Sequence, residues 1–443
     1  MKPYNAGFAR KIPASQLPPG PQWPALVQSM LLMRFRHQFI PAMHRRYGDV
    51  FTIRLVPGGS PLVLFTRPEH AKEIFAGDPE VFHAGKGNAI LGPIMGEHSL
   101  LLQDSTEHRR ARKLLMPAFN GAALRGYQSL VTTIAKDEVA RWTPGRPFRA
   151  LERMNALTLE VILQVVFGVT DEARLAQLRP LVNKTVDIHP IILLGWGYPF
   201  LQKFGPWKAT VDNQRELDKV MYAEIAERRA AGDLADRTDV LSQLLRVGDG
   251  DDKLSDAELR DQLVTLLLAG HETTATALSW SLYELGRDEG QLAKARRAAD
   301  EGDDDYLEAV MKEAMRLHPV IPMVVRHLMA PATIGGWELP RGTNIGPSII
   351  LAHSRSENFP DPEVFRPERF TEGHIEPNTW IPFGGGVRRC IGAGFSLMEG
   401  VAVLREVLTR YDVHVPAGSR DKPKVRNITS VPRYGARIVV RPR

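Results

Sequence analysis

The feature of this sequence that most constrains its fold is one long helical pattern, ELRDQLVTLLLAGHETTATALSWSLYELGRD at 258–288. Ser255 and Glu258 supply an S-x-x-E capping box, so we predict a helix over 256–288. Its roughly 33 residues would extend about 50 Å, enough to cross a domain of this size. Because its middle is apolar, we predict that the helix runs buried through the core.

The middle of this helix carries residues that weaken a buried helix, Gly270-His271-Glu272-Thr273-Thr274. Glycine, β-branched hydroxyl residues and a carboxylate are all unfavourable there. A local violation inside a strong element is where a functional site is expected. An ordinary structural explanation is equally open, since a threonine can bond back to a carbonyl one turn earlier and Glu272 can form a salt bridge.

The rest of the chain is mostly helical in pattern, with strand patterns near both ends. Residues 49–56 and 61–66 flank a Pro-Gly-Gly-Ser turn and predict a β-hairpin. Strand-like pieces return at 411–416 and 435–443, whereas 245–256 and 286–305 have the composition of surface connections. We therefore predict a mainly α protein with small β-sheets (α+β). We expect one domain over 1–443, with an extended Pro-rich lead-in at 1–25.

Composition excludes several classes of protein. A single cysteine among 443 residues permits neither an intramolecular disulfide nor a cysteine-only metal site. The N-terminus lacks the apolar core of a signal peptide, and no apolar run approaches the roughly 18–20 residues that cross a bilayer. We expect a cytoplasmic protein without a membrane span. The net charge of +6 is not accompanied by a nucleic-acid-binding motif, so we expect no nucleic-acid partner.

The solitary cysteine, Cys390, lies in IPFGGGVRRCIGAGF, residues 381–395. Apolar residues at helical spacing over 391–411 place it near a helix N-terminus, where the dipole and free amides favour a thiolate. Arg388 and Arg389 add positive charge, and the glycines at 384–386 allow a tight turn. A sheltered thiolate suits a metal ligand, a redox sensor or a nucleophile, although a lone cysteine is more often a small buried apolar residue.

The spacing Phe383-x-x-Gly386-x-Arg388-x-Cys390-x-Gly392 resembles the haem-binding signature of the cytochrome P450 family, specifically of its bacterial, soluble members. Other family motifs are matched in the usual order by H-x-x-x-R at 108–112, A-G-x-E-T-T at 269–274, E-x-x-R at 313–316 and a PERF segment at 365–370. Together with the hairpin, the likeness covers essentially the whole chain. It implies the cytochrome P450 fold, a single large triangular domain with the long helix through its core.

The resemblance implies haem b (iron protoporphyrin IX) as cofactor, with Cys390 as the thiolate ligand of the iron. It implies that Glu272 and Thr273 form an acid–alcohol pair that delivers protons to dioxygen, with Thr274 a weaker match for the hydroxyl role. Glu313, Arg316 and Arg369 would hold the cysteine loop.

The resemblance also predicts a set of cofactor-binding positions. Four cations occupy positions where family members place propionate partners, and many bacterial relatives carry His where this chain has Arg388. For Arg109, Arg110 and Arg389 we expect exposed surface positions. The predicted cofactor-binding residues are His108, Arg112, Ala269, Gly270, Arg326, Phe383, Arg388 and Gly392.

The implied reaction is R–H + O₂ + 2e⁻ + 2H⁺ → R–OH + H₂O. Apolar stretches at the family's substrate-contact positions (82–96, 185–201, the central helix, 320–325 and 428–431) favour a small lipophilic substrate such as a fatty acid, steroid or terpenoid. No flavin or nicotinamide fingerprint occurs, so we expect electrons from a separate ferredoxin-type partner and its reductase. That partner would dock on basic residues near the thiolate (Arg109, Arg110, Arg388 and Arg389), and we expect the chain to be a monomer.

Three alternatives remain open from the sequence. One is a haem-thiolate peroxygenase or isomerase, although such relatives often lack the acid–alcohol pair. Another is a non-catalytic haem or redox sensor that uses Cys390 as a switch. The third is a carrier of apolar ligands that binds no haem.

Overall fold

The computed structural model of the chain describes residues 12–56, 58–169, 171–186, 192, 200–247 and 252–443. We number the helices of this part in chain order. They are α1 (Ala25–Tyr47), α2 (Pro68–Ala76), α3 (Ala84–Gly87), α4 (Gly92–Met95), α5 (Ser105–Leu115), α6 (Gly121–Ala140), α7 (Ala150–Phe167), α8 (Glu172–Val186), α9 (Gly205–Ala230), α10 (Val240–Arg246), α11 (Asp256–Leu285), α12 (Glu289–Glu301), α13 (Asp304–Leu317), α14 (Ile349–Ser354) and α15 (Ala393–Arg410).

The strands form small separate sheets. They are β1 (Val50–Leu55), β2 (Ser60–Phe65), β3 (Phe82–His83), β4 (Phe148–Arg149), β5 (Arg326–Leu328), β6 (Ala332–Ile334), β7 (Trp337–Leu339), β8 (Asn344–Pro347), β9 (Tyr411–His414), β10 (Pro423–Arg426), β11 (Thr429–Pro432) and β12 (Arg437–Pro442). The largest sheet has the order β1-β2-β8-β5-β3; the others are β4-β12-β9, β10-β11 and β6-β7. β1 and β2 pair antiparallel, which confirms the predicted hairpin; its Pro57 lies outside the described residues.

The central helix α11 begins as the sequence predicts. The Ser255 hydroxyl accepts from the backbone N–H of Glu258, and the Glu258 carboxylate accepts from the backbone N–H of Ser255, which is a complete capping box. The helix ends at Leu285 rather than at 288, because Gly286 ends it and Asp288 already caps the next helix. Most side chains of α11 are buried, and the helix packs most extensively against α7. A mainly α fold with small sheets and a buried central helix is confirmed.

One prediction about the connections was wrong. Most of the charged stretch 286–305 is the helix α12 rather than a surface connection. Leu292, Ala295, Ala298 and Ala299 lie on one face of it and are buried, and this 3.6-residue period is hidden among the charged residues.

Within the described ranges, no individual helix combines the length and the apolarity that crossing a membrane requires. Only the pair α7 and α8, with a 116° bend between them, reaches that length and apolarity together.

A buried ionic cluster connects α13 to the segment that precedes the cysteine. Glu313 accepts from Arg316 Nε at 2.7 Å and from Arg369 Nε at 3.2 Å. Arg316 also donates to the carbonyl of His353 at 3.0 Å, and His353 Nε2 accepts the backbone N–H of Ile381 at 2.9 Å. Because Ile381 begins the glycine-rich loop, the cluster fixes the start of the loop that carries Cys390.

Candidate functional site

The backbone of the cysteine loop depends on its glycines. Gly384 and Gly386 have φ values of +66° and +62°, which favour glycine. A Cβ at Gly386 would lie 2.0 Å from the carbonyl oxygen of Phe75 in α2, so this glycine is also needed for close approach. The backbone N–H of Cys390 then donates to the carbonyl of Phe383 at 2.9 Å, which closes the loop just before α15.

The thiol of Cys390 faces an internal cavity. Its side chain is exposed, yet burial raises the pKa of the thiol, so the space that it faces lies inside the protein. The Gly392 amide donates a hydrogen bond to the sulfur. This bond and the positive charges of Arg112 and Arg389 lower the pKa of the thiol and so oppose the effect of burial. A Cβ at Gly392 would meet nothing within 4 Å, so the space at this residue is open. A thiolate in such a place needs a further cation beside it, and a metal ion supplies one.

Four of the predicted cofactor-binding residues form one electropositive cluster. Burial, together with Arg388, Arg112 and Arg326, lowers the pKa of His108 to about 3, so its imidazole is neutral at pH 7. Burial also lowers the pKa of Arg326 to about 10 and lowers that of Arg112. These guanidinium groups remain charged at neutral pH and repel one another.

This cluster fits a buried dianion. Arg326 is only 6% exposed, and its guanidinium donates to the carbonyl of Val325 at 3.0 Å. In the part of the chain that the structure describes, no carboxylate lies within 4.0 Å of Arg326 or Arg112. Buried charges are ordinarily paired, so the two arginines lack a partner of the kind that two propionate groups provide. The residues present therefore fit haem.

Arg388 has a different environment from the one that the sequence predicts. Its guanidinium donates to the carbonyls of Leu100 and Gln103 and to Asp104 Oδ1 at 3.2, 2.5 and 2.6 Å. Burial lowers the pKa of Arg388 to about 10, and the nearby Asp104 carboxylate opposes this effect. These contacts hold the segment before α5 against the cysteine loop, so most of the Arg388 donors are engaged by the protein itself.

Two arginines of the predicted docking surface are not free surface charges. Arg110, which we expected to be exposed, pairs with Glu258 at 2.6 Å and Asp252 at 3.3 Å. Arg388 is enclosed as described above. Arg109 and Arg389 are exposed, in agreement with the expectation for them, and Arg109 forms only an exposed ion pair with Glu80 at 3.6 Å. The error arose because sequence spacing does not show which carboxylates tertiary folding brings to an arginine.

One face of α11 opens on the interior. Ala269 is exposed, and Gly270 and Thr273 are half-exposed, whereas nearly all their neighbours are buried. The Thr273 hydroxyl donates to the carbonyl of Ala269 at 2.6 Å, which is the one-turn back-bond foreseen as the structural explanation. α11 is continuous here, and a Cβ at Gly270 would lie 2.8 Å from Ile162 Cδ1. Glycine at this position therefore lets α7 pack closely.

Glu272 points towards the β10–β11 hairpin. Its Oε1 lies 3.1 Å from Arg426 Nη1, and its Oε2 accepts from Thr429 Oγ1 at 3.4 Å. The salt bridge foreseen for Glu272 is thus present, and Arg426 is a residue of the site that sequence reasoning missed. The hairpin pattern could have suggested it, since the predicted substrate-contact segment 428–431 begins two residues later.

Thr274 is buried against α15 and does not share the environment of Thr273. Its hydroxyl donates to Ser396 Oγ in α15 at 3.0 Å, and it hydrogen-bonds Glu399. Burial raises the pKa of Glu399 well above its ordinary value, which favours the neutral carboxyl group. Phe383, half-buried, places its ring edge-on to Trp380 with centroids 5.8 Å apart.

Parts of the predicted substrate-contact segments come together. Ile94 and Ile192 pack with Leu268 of α11, and a Cβ at Gly87 would contact the carbonyl of Val325. The segment 82–96 therefore contacts both the segment 320–325 and the central helix. Most of the segment 185–201 (187–191 and 193–199) lies outside the described residues.

Comparison with known proteins agrees with this geometry. The sequence model of the family Cytochrome P450 matches residues 18–438. Putative cytochrome P450 135A1 of Mycobacterium tuberculosis is 53% identical over 424 residues, 95% of this chain and 94% of that protein. Putative cytochrome P450 135B1 of Mycobacterium bovis is 43% identical over 432 residues, 96% of this chain and 91% of that protein.

Solved structures share the fold. Retinoic acid bound cyanobacterial CYP120A1 has a TM-score of 0.86 at 24% identity and covers 96% of this chain and 99% of its own. The cytochrome P450DA heme domain has a TM-score of 0.82 at 24% identity, over 96% of this chain and 97% of its own.

Proposed function

Because the chain belongs to the cytochrome P450 family, it is a haem-thiolate monooxygenase that binds haem b, and we propose that it hydroxylates a lipophilic small molecule with electrons from a ferredoxin-type protein. The observation that carries the proposal is the combination of one accessible thiol with two guanidinium groups, buried Arg326 and half-buried Arg112, that lack carboxylate partners among the described residues. That combination matches a metal ligand and two propionates.

Cys390 Sγ would hold the iron, and Arg112 and Arg326 would hold the propionates. Bound haem supplies the iron at which dioxygen is reduced and from which one oxygen atom passes to the substrate. The Gly392 amide, which donates to Sγ, tempers the charge on the sulfur. The balanced reaction is R–H + O₂ + 2e⁻ + 2H⁺ → R–OH + H₂O, so the protein must deliver two protons to the reacting oxygen.

We infer that Thr273 and Glu272 carry those protons. While Thr273 donates to the Ala269 carbonyl, its lone pairs are free to accept a hydrogen bond from the cavity; when it releases that carbonyl, its Oγ1–H can be donated into the cavity. Glu272 is paired with Arg426, whose side chain is 29% exposed. The carboxylate can therefore collect protons where solvent reaches the ion pair and pass them towards Thr273.

A comparison of two adjacent threonines tests this role. Thr273→Val removes the cavity hydroxyl at nearly constant volume, and we expect haem to bind normally while more electrons form peroxide and fewer form product. Thr274→Val is the matched control, because Thr274 contacts Ser396 rather than the cavity, and it should keep the coupling of electrons to product. Equal coupling in both variants and the parent would refute the assignment.

The substrate class is proposed from the apolar surroundings of Leu268, Ile94 and Ile192. It is tested by titrating the haem-loaded protein with fatty acids, sterols and terpenoids while the Soret band is followed. We expect a saturable low-to-high-spin shift with one of these classes. A shift only with polar ligands would overturn the lipophilic assignment.

The proposed electron donor is a small acidic ferredoxin that docks near Arg109 and Arg389. Both arginines are exposed, and their charges attract an acidic surface, with an effect that salt weakens. Arg389→Glu should weaken binding of an acidic [2Fe–2S] ferredoxin at low salt. Arg215→Glu, whose side chain is 71% exposed on α9, is the control and should leave binding unchanged. Similar binding by both variants would exclude this docking surface.

A further inference from the structure

The first half of α1 carries an outward-facing apolar stripe. Leu26, Val27 and Met30 are 58%, 37% and 55% exposed and lie on one face of the helix, and Trp23, just before the helix, is 41% exposed. This stripe ends near Phe35, where the backbone leaves helical geometry (φ −134°, ψ 29°). Large apolar side chains exposed singly are common on protein surfaces, but a contiguous row of four indicates an interaction surface.

The same half of the helix turns its polar side chains inward. Gln28 is fully buried and Ser29 is 6% exposed. Gln28 Oε1 accepts the backbone N–H of Arg54 at 2.9 Å, and Ser29 Oγ accepts that of Val56 at 3.0 Å, so both hold the β1 strand. The usual arrangement, with the apolar face against the core, is therefore reversed here. Leu26, Val27 and Met30 belong to none of the hydrophobic core clusters of the described residues, whereas the Trp23 ring stacks on the buried ring of Phe39 with centroids 6.4 Å apart.

Charge around the stripe has one sign. The first acidic residue of the chain is Asp49, so residues 1–48 contain no carboxylate side chain but have seven Lys or Arg residues. Arg34 follows Met30 by one turn on the exposed face, and Arg45 and Arg46 are exposed at the far end of α1. Within the described part of the chain, none of these three arginines has a carboxylate within 4.0 Å.

We propose that this surface, the exposed face of α1 with Trp23, binds peripherally to an anionic lipid bilayer. An apolar stripe flanked by uncompensated arginines is the pattern by which amphipathic helices lie in a lipid interface, and Trp is a favoured residue there. Anionic headgroups would neutralise the arginines, while the stripe enters the acyl boundary. A second copy of the chain would oppose the same basic charges, which disfavours self-association through this face.

The test uses the full-length, haem-loaded protein and flotation with vesicles. One set of vesicles contains phosphatidylglycerol and phosphatidylcholine, and the other contains phosphatidylcholine alone. We expect flotation with the anionic vesicles only, weakened by salt. The double variant Leu26→Gln/Met30→Gln should reduce binding at least about ten-fold, because each of these side chains contributes apolar area. Arg34→Gln should reduce it about five-fold.

Trp337→Gln/Val364→Gln is the matched control, since these side chains are 38% and 46% exposed outside α1. It should float like the parent. An unchanged reduced carbonyl spectrum verifies that each variant is folded, and this readout is independent of turnover. The proposal is overturned by failure to float with anionic vesicles, or by flotation that survives in Leu26→Gln/Met30→Gln. Self-association in sedimentation velocity that the double variant abolishes, without vesicle binding, would also overturn it and would assign the stripe to a second copy.

Discussion

The substitution Glu313→Gln tests how strongly the buried cluster beneath the cysteine loop stabilises the protein. Glu313 is fully buried and accepts four hydrogen bonds, two from Arg316 at 2.7 and 2.9 Å, one from the Arg366 backbone N–H at 2.9 Å and one from Arg369 at 3.2 Å. Glutamine keeps the shape of the side chain. It removes the charge, however, and places an NH₂ group, itself a donor, opposite the N–H donors that now bind the Glu313 carboxylate.

The expected loss follows from what remains buried. Arg316 and Arg369 are 2% and 8% exposed, so after the substitution both guanidinium groups stay inside the protein without their carboxylate. Removing one partner of a buried ion pair costs about 3–5 kcal/mol. Whole domains are stable by only about 5–15 kcal/mol, so the variant should lose a large share of its stability. Since Arg316 reaches Ile381 through His353, we also expect less haem per chain.

The assay is urea denaturation of Glu313→Gln beside the parent, with the haem-to-protein ratio of each preparation. Glu357→Gln is the control, because the side chain of Glu357 is 67% exposed and pairs with Arg355 at 3.2 Å. That exposed pair should be worth under about 1 kcal/mol. A free energy of unfolding of Glu313→Gln within about 1 kcal/mol of the parent, with normal haem content, would refute the reasoning.

Two further predictions concern the same loop. Gly386→Ala should lower the free energy of unfolding in urea by about 2–5 kcal/mol, because the new Cβ would be in a left-handed conformation (φ +62°) and 2.0 Å from the backbone of Phe75. The control Gly336→Ala is also left-handed (φ +78°), but its Cβ would have nothing within 4 Å, so it should cost only about 1–2 kcal/mol. Equal losses in the two variants would contradict the role of close approach. Burial lowers the pKa of His353 from 6.5 to about 3, so the unfolded chain binds more protons between those values and the free energy of unfolding falls as pH drops from 6.5 towards 3. His353→Gln should reduce this slope by up to about 1.4 kcal/mol per pH unit, and an unchanged slope would show that His353 is not the group responsible.

The sequence predicted the elements that local pattern determines. The capping box, the apolar length of α11 and the alternating strands of the hairpin are all local, and the structure has them. The error at 286–305 has a local cause as well. In α12 the buried face consists mainly of small alanines, which an apolar count weighs weakly against the surrounding charges.

The site was less accessible to sequence reasoning, because its pairings are long-range. Arg426 lies 154 residues after Glu272, and Asp104 lies 284 residues before Arg388. No spacing rule predicts such pairs. The unexpected contacts of Arg388 and Arg110 therefore have the same origin, because each arginine has a carboxylate nearby that only folding brings to it.

The motif in the central helix also shows how a glycine, a carboxylate and two threonines that are unfavourable in a buried helix can lie together in one. Successive residues turn about 100° around the axis, so neighbours in sequence face different elements. Gly270 admits Ile162 of α7, and the imidazole Nε2 of His271 bonds the carbonyl of Asn155 there at 3.0 Å. Glu272 contacts the β10–β11 hairpin, and Thr273 faces the cavity. Thr274 contacts α15, the helix that follows Cys390. Insertion of a single residue here would rotate each contact into the wrong neighbour. The order of these residues is thus fixed by what surrounds the helix rather than by helix propensity, and only residues with a polar atom or no side chain can make these particular contacts.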